Sequence, residues 1–435
     1  MQVTVETTSK LGRKMIVEVP AESIDSEIEK RLKTMTKQVK LHGFRPGKVP
    51  FKLVKQRFGN QVQQEVLTEV LHSSYQQAVT QEKLRPVGGP SIEPNVMGLG
   101  KGLMYTATFE VLPEIEIVDI QSLEITKPAA EISEADINQL IETLRKQRRT
   151  WKEVDRSSQT GDQIVVDFDG KIDGNAFEGG KGQSVAVELG EGQMLKDFED
   201  QLKGIVAGEK KTLDVVFPED YPQQKLAGKN AAFEVEVKTV SEPVLPIIDD
   251  ELAKSFGVKQ GGVSALRNEI RKNMERELEQ KTKLWIKEQV MEGLHKFNQV
   301  ELPEAMVKED IARAREQMMK NPGMTDASKF PDKLFEEDAR KRVALWLLVS
   351  EIVKAQDIKP DQHRVQQMLE EFAASYEDPQ QIIGQYRGDE QAMARVESMV
   401  IEEQVVDWVL SKARVKQQDM TYNQVMNSSI AEKKV

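Results

Sequence analysis

Four histidines, His42, His72, His295 and His363, are the chain's whole supply of imidazole, and none has a second ligand at helical spacing. Metal centres need three or four converging donors, so each reads as a surface or hydrogen-bonded histidine. Cysteine is absent, which removes disulfides, thiol nucleophiles and zinc-thiolate sites together. Asp167 and Asp169 followed by Asp173-Gly174 open like a calcium loop, but Lys171 occupies the third ligand position. Gly179-Gly180-Lys181-Gly182 lacks the Gly-Lys-Ser/Thr ending of a phosphate loop, and Gly98-Leu99-Gly100-Lys101-Gly102 has the wrong spacing for a dinucleotide fingerprint. All three are expected to be turns, and neither a metal nor a cofactor is expected.

Two other sets of residues remain. One is an aromatic and apolar series, Phe168, Phe177, Met194, Leu195, Phe198, Tyr221 and Phe233, on strands, a helix start and loop edges. Taken singly, each is a core residue. The other is positive charge: Lys30, Arg31, Lys33, Lys37, Lys40, Arg45, Lys48, Lys52, Lys55 and Arg57 face only Glu27 and Glu29 across the same stretch. With a net charge of -11 the chain is no general nucleic-acid coat, so a basic cluster this dense around one loop is expected to act locally.

The elements that must carry these residues fall into three regions. At 435 residues the chain exceeds a single core. Up to about Leu112, Val3-Val5 and Met15-Val19 alternate as strands, and Ile24, Ile28 and Leu32 stripe a helix after Pro20. The Gly-Pro-rich loop follows. Pro50 and Asn60 read as starts of two further helices, Arg85-Pro90 as the end of the second, and Met104-Leu112 as a strand. From Thr150 to Ser241 come strands at Ile164-Phe168, Val185-Leu189, Thr212-Phe217 and Ala232-Val240, a hairpin at Asp173-Gly174, and one short helix from Leu195 to Gly204. Beyond Pro246 the pattern is all helical. Ser264 is expected to cap a helix reaching Phe297, Pro303 to open the next, and Asn321-Pro322-Gly323 to stop it. Phe335-Val353 is a further helix, Pro360 and Pro379 punctuate two more, and a polar tail follows Met420. Ser133-Arg149 forms a capped helix that is either a linker or part of the helical body. No stretch approaches the ~20 apolar residues that cross a bilayer, and Met1-Pro20 has no signal-like run, so a soluble cytoplasmic protein is expected.

In the middle region, Val166-Asp167-Phe168-x-Gly170, Phe177-Glu178-Gly179, Met194-Leu195-x-x-Phe198-Glu199, Tyr221 and Ala232-Phe233-Glu234-Val235 stand in this order. That order and spacing is similar to FKBP-type prolyl isomerases. The resemblance implies a catalytic pocket around a substrate proline, built from Asp167, Phe168, Phe177, Glu178, Met194, Leu195, Phe198, Tyr221 and Phe233. Typical members carry Trp and Asp where Phe198 and Glu178 stand. Rotation about an X-Pro bond must surrender amide resonance, a barrier of ~18–20 kcal/mol, but breaks no covalent bond. An apolar pocket that desolvates the amide and favours its twisted form can lower that barrier without a general base.

The three regions in this order, with Gly43-Phe44-Arg45-x-Gly47-Lys48-x-Pro50 and Arg271-Lys272-Asn273-Met274-Glu275-Arg276-Glu277, resemble the bacterial trigger factors over essentially the whole chain. The resemblance implies a multidomain α+β fold: an N-terminal α+β docking domain (1–112), a segment (113–149) that links or joins the body, a small antiparallel-sheet FKBP-like domain (150–245), and an extended all-α C-terminal chaperone domain with arms (246–435). It also implies a ribosome-associated chaperone of nascent and unfolded polypeptides that isomerises X-Pro bonds. Gly43, Phe44, Arg45, Pro46, Gly47 and Lys48 would form the docking tip against the large ribosomal subunit near the exit tunnel, touching ribosomal protein and rRNA. Some members carry Lys where Pro46 stands. A homodimer off the ribosome is a further expected partner. Eleven of 17 methionines lie beyond Asp250, as suits a surface accepting many sequences. Two other readings remain open: a free-standing isomerase with a helical dimerisation region, and an RNA-binding regulator using the basic loop.

Overall fold

The computed structural model describes residues 1–39, 41, 44, 49–98, 102–117, 120–320, 330–374 and 376–428. The N-terminal elements are β1 (Gln2–Thr7), β2 (Gly12–Val19), α1 (Ala21–Gln38), α2 (Phe51–Gln81), β3 (Pro86–Gly98) and β4 (Gly102–Val111). Next come β5 (Glu124–Ala129), α3 (Glu134–Gln147), β6 (Thr150–Glu153), β7 (Gln163–Ile172), β8 (Asn175–Glu188), α4 (Lys196–Gln201), β9 (Lys210–Val216) and β10 (Asn230–Val244). The remainder is α5 (Asp250–Ser255), α6 (Gly262–Phe297), α7 (Glu304–Met319), α8 (Lys333–Ala355), α9 (Gln362–Ala373), α10 (Pro379–Gly388), α11 (Glu390–Lys412), β11 (Arg414–Asp419) and α12 (Tyr422–Asn427). Two compact units gather these elements: Met1–Lys127 with Lys283–Gln418, and Pro128–Thr282 with the chain from Asp419.

In the first unit, the N-terminal sheet runs β1-β2-β4-β3. Alternation along β2 and β4 buries Met15, Val17, Leu103, Tyr105, Ala107 and Phe109 in one cluster with Ile24, Ile28 and Leu32 of α1 and Val54, Val62 and Val66 of α2. Two expectations are corrected here. A single helix replaces the two expected from Pro50 and Asn60, because Val54, Phe58, Val62 and Val66 keep a four-residue apolar row running past Asn60. Arg85-Pro90 is no mere helix end, since Pro86 begins β3. Three prolines, Pro86, Pro90 and Pro94, are tolerated because β3 is an edge strand whose register slips between Val87 and Ser91 and between Pro94 and Val96.

Most of the rest of this unit is helical. Ile120, Leu123 and Ile125 share a core with Ile286, Val290 and Leu294 of α6, Leu348 and Ile352 of α8, and Val405 and Val409 of α11. Val307 and Ile311 of α7 meet Val343 and Leu347 of α8, while α9, α10 and α11 close a separate core around Leu369, Ile383 and Val400. The C-terminal region is not purely helical. β11 pairs with β5, and the Arg414 N–H donates to the Leu123 carbonyl at 2.8 Å. The run Arg414-Val415-Lys416-Gln417 carries too little apolar alternation to announce a strand. Between Pro360 and Met420 stand three helices rather than two, since Asp389 ends α10 and caps α11 through the N–H groups of Gln391 and Ala392. The stop expected at Asn321-Pro322-Gly323 lies outside the described residues.

In the second unit, α3 opens with a capping box between Ser133 and Asp136, an arrangement worth ~0.5–2 kcal/mol. Its Ile137 and Ile141 pack with Ala253 of α5 and Leu266, Ile270 and Met274 of α6. The 133–149 helix is therefore packed against helices from beyond Pro246 and is not a bare linker. Ser264 does not cap α6, which starts at Gly262; the Asp250 carboxylate instead accepts the Val263 N–H at 3.2 Å. The sheet runs β6-β10-β7-β8, with β9 also on β10. Thr150 pairs with Val244, so the chain enters and leaves the sheet on adjacent strands. The tail past Met420 forms α12, whose Tyr422 hydroxyl donates to Glu277 at 3.1 Å.

Candidate active site

The sheet's aromatic residues converge because strand register brings them together. Phe168 lies on β7 opposite Val235, and Phe233 on β10 lies opposite Gly170 of β7. A Cβ on Gly170 would stand 2.4 Å from the Phe233 ring, and one on Gly182 would stand 2.6 Å from the Phe168 ring. These glycines give the two rings room to lie across the neighbouring strands. Phe198 projects from α4 with 2% of its surface exposed. Its ring meets Phe233 at 5.4 Å and Phe168 at 5.9 Å, both edge to face. Phe177 on β8 completes the cluster, 6.0 Å from Phe233 and 5.9 Å from Phe217. Such contacts are worth ~0.5–1.5 kcal/mol each beyond area burial, so the rings brace one another.

Together they wall a cavity of about 370 Å³ lined by Phe168, Phe177, Glu178, Met194, Leu195, Phe198, Tyr221 and Phe233, joined by Gly179, Gly192, Gln193, Phe217, Gln223 and Leu226. Eight of the nine residues singled out from sequence thus meet at one hollow. The ninth, Asp167, is not in its lining. It accepts the Ser184 N–H at 2.6 Å and pairs with Lys238 at 2.8 Å. The hydrogen bond from Lys238, then that from Ser184, hold its carboxyl below the usual range. Alternation along β7 explains the separation from Phe168.

Gly192, Gln193, Phe217, Gln223 and Leu226 were the residues missed. Phe217 meets Tyr221 at 4.9 Å, and the pairing of a strand-ending Phe with an aromatic four residues on was the available signal. The frame beneath is polar. Ser158, 3% exposed, donates its hydroxyl to Leu202 at 2.6 Å and accepts the Ile205 N–H, fixing the turn after α4. Arg156 clamps Asp162 through contacts of 2.6 and 3.0 Å. Burial pushes the Asp162 carboxyl up, but Arg156 and the Gln159 N–H outweigh it and hold it low. Gly179-Gly182 lies within β8 rather than in a turn, whereas Asp173-Gly174 is the expected hairpin, with φ of 50° and 81°.

Of the basic loop, Phe44 is described. It is 41% exposed, and its N–H donates to the Leu41 carbonyl at 3.0 Å. Gly43, Arg45, Pro46, Gly47 and Lys48 lie outside the described residues. Nearby, Lys30 pairs with Glu27, Lys33 with Glu29 and Arg31 with Glu69. Among the described residues no group of acids, histidines or cysteines could hold a metal ion, and no helix is long and apolar enough to cross a membrane.

A sheet of this topology with one short helix and an aromatic hollow is the arrangement of an FKBP-type isomerase domain. The model of FKBP-type peptidyl-prolyl cis-trans isomerases matches residues 154–238, and those of the bacterial trigger factor protein and its C-terminus match 1–144 and 262–411. Trigger factor of Thioalkalivibrio sulfidiphilus is 51% identical over 98% of each chain, and that of Idiomarina loihiensis 44% over 98% of this chain and 99% of its own. A solved structure of the trigger factor chaperone superposes with a TM-score of 0.50 at 18% identity, covering 94% of this chain and 99% of that one. The chain belongs to the bacterial trigger factor family: it is a protein-folding chaperone with prolyl isomerase activity.

Proposed function

We propose that the hollow lined by Phe168, Phe177, Glu178, Met194, Leu195, Phe198, Tyr221 and Phe233 is where X-Pro bonds turn. The observation behind this is their convergence on one cavity of about 370 Å³ with the Phe198 ring buried among them. The proline ring enters between the aromatic faces, and the amide loses water as it does so. A planar amide is strongly solvated and a twisted one less so, which makes a dry wall selective for the twisted form. Tyr221 offers a hydroxyl to the rotating carbonyl, and exposed Glu178 stands at the rim, where it can meet flanking residues of the client.

The same reading gives Gly43, Phe44, Arg45, Pro46, Gly47 and Lys48 the docking role on the large ribosomal subunit near the exit tunnel, against both ribosomal protein and rRNA. Exposed Phe44 supports an apolar anchor, and Arg45 can fork a carboxylate or phosphate. Cytoplasmic residence and a homodimer off the ribosome belong to this reading, as do the boundaries 1–112, 113–149, 150–245 and 246–435. Replacing Arg45→Glu and Lys48→Glu together is expected to abolish co-sedimentation with ribosomes while proline-peptide turnover stays at the wild-type rate. Unchanged co-sedimentation would sink the docking assignment.

A further inference from the structure

Glu199 follows the Phe198 of the hollow and is only 4% exposed. A carboxylate taken out of water needs compensation. No cation pairs with it among the described residues. Its compensation is backbone. One oxygen accepts the N–H of Gly190 at 2.9 Å and that of Gly192 at 3.4 Å, and the other accepts the N–H of Met194 at 2.9 Å. Gly190 and Gly192 have φ of 97° and 68°, a left-handed curl that turns successive N–H groups toward one anion. The Glu199 N–H in turn donates to the Leu195 carbonyl at 3.1 Å. Both ends of the segment carrying Gly192, Gln193, Met194 and Leu195, which line the hollow, are tied to this residue.

We propose that Glu199 is a positioning residue for prolyl isomerisation, its carboxylate the post around which one wall of the hollow is wound. The proposal rests on the hollow being the isomerase site. A pocket that prefers a twisted amide must hold its walls to a fraction of an ångström, and the three N–H groups taken by this carboxylate tie down a loop with two left-handed glycines. Glu199→Gln places an amide donor against N–H donors and removes the charge that three of them share.

The test uses the full chain, with proline-peptide kinetics and hydrogen-exchange mass spectrometry. Glu199→Gln is expected to lower kcat/KM about tenfold, with faster exchange confined to peptides covering Gly190–Leu195 while β7 and β10 stay protected. Glu199→Asp, which keeps the charge but draws it back by one methylene, should fall between the two and serves if the Gln variant does not fold. Wild-type kcat/KM in these variants would overturn the proposal. So would exchange rising across β7 and β10 as well, since the carboxylate would then merely hold the domain together. Phe233→Leu, assayed alongside, separates the two failures: if it too leaves turnover unchanged, the hollow is not the site and the proposal falls with it.

Discussion

The aromatic hollow of the sheet domain and the groove of the helical body use apolar side chains in opposite ways. In the sheet domain, rings from β7, β8, α4 and β10 meet edge to face around a cavity of about 370 Å³. A phenyl ring has two rotatable bonds, and here its neighbours fix both. Between α6, α9 and α11 a groove of about 530 Å³ is lined by Leu284, Ile286, Met368, Met399, Val406 and Leu410. Leu284 and Met399 are 55% and 44% exposed, and ion pairs from Lys287 to Glu402 and Arg364 to Asp407 edge it. Unbranched and aliphatic side chains with solvent on one side can repack. A rigid aromatic hollow selects one geometry of a common bond, whereas a pliable groove accepts many surfaces. On the proposed reading, catalysis belongs to the sheet domain and general client holding to the helical body.

The strongest way to break this contrast is Phe233→Leu. It removes a ring in contact with three others, and peptide isomerisation is expected to fall about 100-fold while suppression of client aggregation is unchanged. Parallel loss of both activities would erase the distinction. A broader test excises Thr150–Val244, which is sterically simple because those two residues are paired neighbours. The remaining chain should keep most of its aggregation suppression and lose isomerisation; near-complete loss of suppression would move client holding into the sheet domain. The groove is probed by Leu284→Ser with Met399→Ser, where exposure keeps the stability cost small. Protection of an unfolded client should weaken about two- to threefold with isomerisation intact, as expected when one patch among several is lost.

The smallest effect concerns the tail. Burial, then the hydrogen bond to Glu277 and its charge, push the Tyr422 hydroxyl up to about 12. A folded-state value above the ordinary 10 means this contact contributes fully below pH ~10 and is lost as pH rises through about 12. The protection factor at Val425, which corrects for the ordinary base catalysis of exchange, should therefore fall across that window. In Tyr422→Phe the pH-dependent step should vanish.

Much of this was legible beforehand for identifiable reasons. Alternation in Met15-Val19 and Ile164-Phe168, the Ser133 cap and the Asp173-Gly174 hairpin are local signals, and each produced the expected element. The failures were nonlocal. β3 escaped notice because Pro and Gly are penalised in strands unless the strand lies at an edge. β11 is stabilised by pairing with β5, which lies in the first third of the chain. Asn60 looked like a helix start because propensity cannot weigh a buried valine row.

The amino-acid sequence by itself determined the side-chain chemistry: no thiol, four scattered histidines, an aromatic series and one dense basic loop. It also determined the periods of the main helices and strands, since those follow from residue types at fixed spacing. Only the tertiary structure decided which aromatics share a hollow, because Gly170 and Gly182 make room for rings carried by other strands. It likewise turned Asp167 away from that hollow and brought Glu199 behind its wall, since register and burial arise between segments and no local window contains them.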